Sequence, residues 1–151
     1  MIRLLGTLRP GLASLLVIAC ASSDVAGPGP NAALVQTCAP WDGAAVALFL
    51  TDQPSVPTYP TAPYTEITVY HGVSQITGRR FDVGPDTPST GFAQECPQTG
   101  ACAPARTASV AFGELNADST IAVSYRLESA SGRVLRGEVR PRLSPMAALC
   151  G

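Results

Sequence analysis

The sequence predicts an all-β domain, a single antiparallel β-sandwich or small barrel of about seven strands, stapled by disulfides. Three observations predict it. Short runs rich in Val, Ile, Thr and aromatic residues recur between clusters of Gly, Pro, Asn and Asp. The clearest of these runs alternate apolar and polar residues with a period of two, the spacing of a half-buried strand. Cys38, Cys96, Cys102 and Cys150 supply an even number of thiols for pairing.

Taken in order, the chain opens on a leader, residues 1–19. Arg3 and Arg9 form a basic start, Gly11 to Ala19 carries no charge, and small residues close it, the layout of a secretory signal peptide. The apolar stretch is too short to cross the ~30 Å of a bilayer core as a helix. Val17-Ile18-Ala19-Cys20 resembles the lipobox of bacterial lipoproteins. That resemblance implies cleavage before Cys20, a diacylglyceryl thioether on its sulfur, acylation of the new amino group and attachment to a membrane. Cys20 is followed by Ala21 rather than Asp, and the first acid is Asp24. In envelopes that sort lipoproteins by this position, the outer membrane is implied. Ala19-Cys20-Ala21 also reads as an ordinary A-x-A cleavage site, which would leave a secreted or periplasmic soluble protein.

Residues 20–37 read as the lipidated cysteine and a flexible tether, broken by Gly27-Pro28-Gly29-Pro30. Such a coil spans an r.m.s. distance of roughly 20–25 Å. The β domain is expected over residues 38–151. Ala44 to Thr51 is a near-continuous apolar run, short enough for a strand covered on both faces. Pro54, Pro57, Pro60 and Pro63 follow at every third residue, so a polyproline II segment would line their rings along one side. A rigid connection between the first two strands is the simplest use for it. Glu66 to His71 is β-branched and aromatic, and Arg79 to Val83 places Phe81 and Val83 opposite Asp82. Gly91 to Cys96 is the weakest candidate, and Thr107 to Phe112 puts Val110 and Phe112 on one face.

The last hairpin is the clearest unit. Ile121, Val123, Tyr125 and Leu127 share a face, as do Leu135, Gly137, Val139 and Leu143 on its partner. Centring the turn on Gly132 sets Glu128 opposite Arg136 and Arg126 opposite Glu138, two attractive pairs worth ~0.2–1 kcal/mol each. That register is expected over the slipped one, which opposes Arg126 and Arg136. Pro141 lacks a ladder donor and marks an edge strand or a strand end.

In an exported chain the four remaining cysteines favour structural disulfides. The turn-rich Pro97 to Ala101 brings Cys96 to Cys102, leaving Cys38 for Cys150. No metal site is expected, since no C-x₂-C pair exists and His71 is the only histidine. No cofactor motif appears either; Asp82 to Asp86 departs at once from a calcium loop. The chain holds 10 basic residues, all arginine, and 11 acids, for a net charge of −1. That balance excludes the basic face nucleic acid requires.

Catalytic constellations are nearly absent. No nucleophile elbow accompanies His71 and Ser74, and His71 reads as the end of a core face. Asp42, Asp52, Asp82, Asp86 and Glu95 are candidate carboxylates, with no spacing that singles out a pair. Trp41 is expected to pack beside a disulfide. Two surfaces are candidates for contact. One is the loop carrying Pro54, Pro57, Tyr59, Pro60, Pro63 and Tyr64; the other is a basic stripe of Arg136, Arg140 and Arg142, suited to anionic headgroups or cell-wall polymer. The expectation is a lipid-anchored, non-enzymatic module that binds or assembles with an envelope protein or cell-wall polymer. A small envelope hydrolase using surface carboxylates, or a purely structural tethered domain, are the alternatives.

Overall fold

The computed structural model describes residues 31–53, 59–145 and Cys150. The leader, Cys20, the first part of the expected tether, Pro54 and Pro57 lie outside the described residues. Strand β2 (Ala44–Thr51) shows why the fold is layered: it is apolar on both faces, and every residue from Ala45 to Thr51 is buried. Such a strand belongs inside a sheet. It pairs antiparallel with β1 (Asn31–Cys38) and with β3 (Tyr64–Val69). β5 (Gly91–Cys96) and the two-residue β6 (Ala103–Pro104) complete a five-stranded sheet in the order β1-β2-β3-β5-β6. β4 (Arg80–Val83), β7 (Thr107–Leu115), β8 (Ile121–Glu128) and β9 (Val134–Val139) form a four-stranded sheet in the order β4-β7-β8-β9.

The two antiparallel sheets pack face to face as an open sandwich rather than a closed barrel. Leu34, Leu48, Ile67 and Val69 from one sheet meet Val110, Phe112, Ile121, Val123 and Leu127 from the other in a single buried core. Each such side chain contributes roughly 1.5–3 kcal/mol of transfer free energy. The single-turn helix α1 (Val73–Ile76) lies where the chain passes from β3 to β4, between the sheets. It delivers Ile76 into the core, and its first turn is held by Gly72 N donating to Gln75 Oε1 at 3.0 Å.

Three hairpins share one turn. Ala39 N donates to Gly43 O at 2.7 Å and Asp42 N to Ala39 O at 3.1 Å. Asn116 and Thr120 repeat the pattern with Ser119, and Ser129 and Arg133 with Gly132. A three-residue loop of this kind puts its last residue in the left-handed region. Asp42 (φ 62°), Ser119 (φ 63°) and Gly132 (φ 86°) occupy that position.

Gly132 therefore ends its turn and does not centre it, which overturns the expected register of β8 and β9. Arg126 faces Arg136, Ser124 faces Glu138 and Glu128 faces Val134. Both registers keep the same side chains inward, so apolar alternation alone does not separate them. The turn decides, together with Tyr125, whose ring covers the bare backbone of Gly137. A Cβ on Gly137 would lie 2.8 Å from Tyr125 Oη. Burial of an aromatic ring outweighs cross-strand charge pairs of a few tenths of a kcal/mol.

Strand β1 is the second correction. Residues 31–37, expected to belong to the tether, are paired in register from Asn31↔Thr51 onward. Leu34 and Val35 are each 1 % exposed. Alanine and glutamine prefer strands weakly, so the run did not read as β; the partner that β2 requires supplies what local preference lacks. The other boundaries shift less. β4 starts at Arg80, β7 runs on to Leu115, and the weak run Gly91–Cys96 is a full strand paired on both sides. β9 is an edge strand ending at Val139, in keeping with Pro141.

Cys38 with Cys150 (Cα–Cα 5.5 Å) and Cys96 with Cys102 (Cα–Cα 4.1 Å) stand at disulfide distance, the expected pairing. The first pair fastens the C-terminal segment to β1. Ser144 N donates to Leu34 O at 2.8 Å and Leu143 bridges Leu34 in parallel, so this segment covers part of the free edge of β1.

Candidate functional site

The outward face of the five-stranded sheet collects most of the chain's aromatic side chains. Strand pairing sets them in rows. Val35, Ala47, Thr68 and Phe92 form one row across β1, β2, β3 and β5. Ala33, Phe49, Glu66 and Gln94 form the next, and Tyr64 stands beside Cys96 in a third. At one end Trp41, carried by the β1–β2 turn, meets Tyr70 edge-on at 4.9 Å, and Tyr70 lies 6.2 Å from Phe92. At the other end Phe49 holds Tyr59 at 5.8 Å and Tyr64 at 5.5 Å, both edge-on. Trp41 and Tyr59 are each 57 % exposed. Beneath them Val35, Ala47 and Phe49 are a second buried cluster, separate from the core.

A polar patch lies between the two aromatic ends. Glu66 accepts from Thr68 Oγ1 and from Gln94 Nε2, both at 2.8 Å, one on each carboxylate oxygen. Burial, and then the Glu66 carboxylate, push the Tyr70 phenol above its ordinary range. Tyr70 therefore stays a neutral hydroxyl at neutral pH. Aromatic ends with a charged, hydrogen-bonding centre suit a flat ligand carrying both apolar faces and hydroxyls.

The expected contact loop is partly of this face. Tyr59 and Tyr64 belong to it through Phe49, whereas Pro60 is buried and Pro63 exposed, so these two rings do not line one open side. The loop joins β2 to β3, which are antiparallel neighbours, and its ends are tied by Thr51 Oγ1 donating to Pro63 O at 3.1 Å. The basic stripe runs past the end of β9. Arg136 lies on β9 opposite Arg126, and beyond Val139 the same register holds, with Ile121 N donating to Pro141 O at 3.2 Å and Arg142 bridging Thr120, so the exposed Arg136, Arg140 and Arg142 keep to one face. Arg142 also adds a favourable charge near Asp118. Trp41 packs on Tyr70 and is more than half exposed.

His71 rests on Phe81, ring centroids 5.2 Å apart, and no hydrogen bond joins it to a carboxylate or hydroxyl among the described residues. Four of the five candidate carboxylates fall into two separate concavities, and Asp42 stays in the β1–β2 turn. Asp82 and Asp86 line one of about 370 Å³, and Asp52 and Glu95 line another of about 400 Å³. In each, one acid is already ion-paired: Asp82 with Arg80 at 3.8 Å, and Glu95 with Arg133. Asp82 is also 75 % exposed, so it is not the desolvated acid that glycoside chemistry uses. Among the described residues no cluster of His, Cys, Asp and Glu could hold a metal ion, and no helix is long and apolar enough to cross a membrane.

Trp41, Tyr70 and Phe92 were not singled out as a platform from the sequence. Trp41 sits on a turn, and only the β3–β5 pairing brings Phe92 beside Thr68 and within reach of Tyr70. Compared with known proteins, the chain matches no family model, no curated protein and no solved structure.

Proposed function

We propose that this chain is a lipid-anchored protein of the bacterial envelope whose β domain binds a cell-wall glycan without catalysis. The carrying observation is the exposed aromatic pair Trp41 and Tyr59 at either end of a sheet face, with the Glu66–Thr68–Gln94 hydrogen-bonded patch between them. Sugar rings stack their apolar faces on aromatic side chains, while their hydroxyls exchange hydrogen bonds with carboxylate and amide groups. The ion pairs that hold Asp82 to Arg80 and Glu95 to Arg133 favour binding over hydrolysis.

The anchor rests on the lipobox ending at Cys20. With β1 beginning at Asn31, residues 21–30 supply at most ~35 Å of reach. The domain would therefore stay within a short distance of the headgroups, on the outer membrane by the Ala21 sorting rule. Labelled palmitate should enter the wild type and not Cys20→Ser; equal uptake by both removes the anchor. For the glycan, purified chain is co-sedimented with insoluble cell-wall material. Trp41→Ala and Tyr59→Ala should each weaken retention by about two- to tenfold, the range of one aromatic contact. Retention unchanged by both substitutions, or turnover of the glycan, would sink the binding reading.

A further inference from the structure

We infer that the four-stranded sheet carries a second site, on the opposite side of the sandwich, that binds a phosphate group. Three guanidinium groups, Arg80 from β4, Arg126 from β8 and Arg106 just before β7, line the concavity of about 370 Å³ together with the hydroxyls of Thr107 and Ser109. Pairing across the sheet explains the convergence. Asp82, Ser109, Arg126 and Arg136 stand in one row over β4, β7, β8 and β9. Arg80 Nη2 donates to Ser109 Oγ at 3.2 Å, which swings its guanidinium toward Arg126.

Acids orient two of the arginines and leave the third. Asp82 takes the Nε edge of Arg80 at 3.8 Å, and Glu128 takes Arg106 at 3.6 Å. Asp86 also lines the concavity, and no hydrogen bond or ion pair joins Arg126 to another described residue. Arg126, oriented by neither acid, is the cation of this concavity left for an incoming anion. Phosphate fits better than carboxylate, because its three or more acceptor oxygens match several guanidinium forks and two hydroxyls at once. The site does not rest on the glycan reading, since the aromatic face is on the other sheet.

The test uses the full chain carrying Cys20→Ser, so that no acyl chain contributes, with and without Arg126→Gln. Thermal unfolding is followed in inorganic phosphate and in chloride at equal ionic strength, and retention is measured on phosphatidylglycerol and phosphatidylcholine vesicles. Phosphate should raise the midpoint of the parent and not of Arg126→Gln, with affinity in the variant lowered on the order of tenfold. The variant should fold as stably as the parent in chloride, because Arg126 is exposed and makes no hydrogen bond or ion pair to another described residue. Stronger retention on phosphatidylglycerol than on phosphatidylcholine, lost in Arg126→Gln, assigns the phosphate to a lipid headgroup. Free phosphate binding without that difference assigns it to a soluble phosphorylated ligand. The proposal is overturned if neither probe distinguishes the parent from Arg126→Gln.

Discussion

Replacing Cys38 and Cys150 together by alanine should cost this domain far more than replacing Cys96 and Cys102. The two pairs enclose very different loops, 112 residues apart in sequence for the first and 6 for the second. In the chain-entropy description, closing the long loop restricts the unfolded chain by about 4.8 kcal/mol and the short one by about 2.2 kcal/mol. The expected difference is therefore about 2.6 kcal/mol. A domain of this size holds only ~5–15 kcal/mol in total, so the long-loop variant loses a large share of its stability. A local effect reinforces the global one. β1 is an edge strand whose outer side is covered by Leu143 and Ser144, and Cys150 is the covalent end of that cover. Urea unfolding of both double variants, extrapolated linearly to water, measures the difference. Amide exchange should also rise first in β1 of the Cys38/Cys150 variant. Equal losses in the two variants, or unchanged protection in β1, would refute this reasoning.

Further predictions follow from the turns and the sheet interior. A Cβ on Gly91 would lie 2.0 Å from the backbone oxygen of Thr68 on the neighbouring strand, so Gly91→Ala has to push β3 and β5 apart. It should cost about 3 kcal/mol, the upper end of overpacking, in thermal or urea unfolding; a loss below about 0.5 kcal/mol would mean the strands yield freely. Ser119 holds a left-handed φ of 63°, and Ser119→Gly should stabilise by about 0.5–1 kcal/mol, with no change or a loss counting against the turn assignment. The Thr120 hydroxyl and amide, donating to Asp118 at 2.7 and 3.1 Å, hold its carboxyl below the usual range. A depressed folded pKa gives stability that is present above the unfolded value of about 3.9 and lost as pH falls through the folded one. The gap between wild type and Asp118→Ala should accordingly be constant near neutral pH and shrink below about pH 4; a gap independent of pH would contradict the hydrogen-bond cause.

Much of the fold was legible, and the failures have physical causes. Strands with strong period-two alternation, such as Ile121–Glu128, or with unbroken apolar character, such as Ala44–Thr51, announce themselves, because their burial is written in residue type. Asn31–Cys38 did not, since Ala-Ala-Leu-Val-Gln-Thr becomes a strand only when β2 offers an edge. The hairpin register failed on a weak term. Charge pairs at the surface are worth tenths of a kcal/mol, while a left-handed Gly132 and a ring over Gly137 constrain the backbone itself. Of the candidate sites, Tyr59 and Tyr64 were legible as aromatics beside prolines. Arg80, Arg106 and Arg126 were not, because nothing in their spacing hints that three β-strands bring them to one concavity.

Residue type by itself determined that this chain builds an all-β, disulfide-paired domain, because alternation, β-branched content and cysteine parity are local or countable properties. The proposed export leader and the lipobox-like run Val17 to Cys20 are likewise readings of sequence, carried by residues 1–20 alone. What only the tertiary structure decided is which side chains meet. The aromatic face on one sheet and the arginine concavity on the other are each assembled from strands far apart in the chain. Their geometry comes from register, and register is settled by turns and packing rather than by the charges that read most plainly along the sequence.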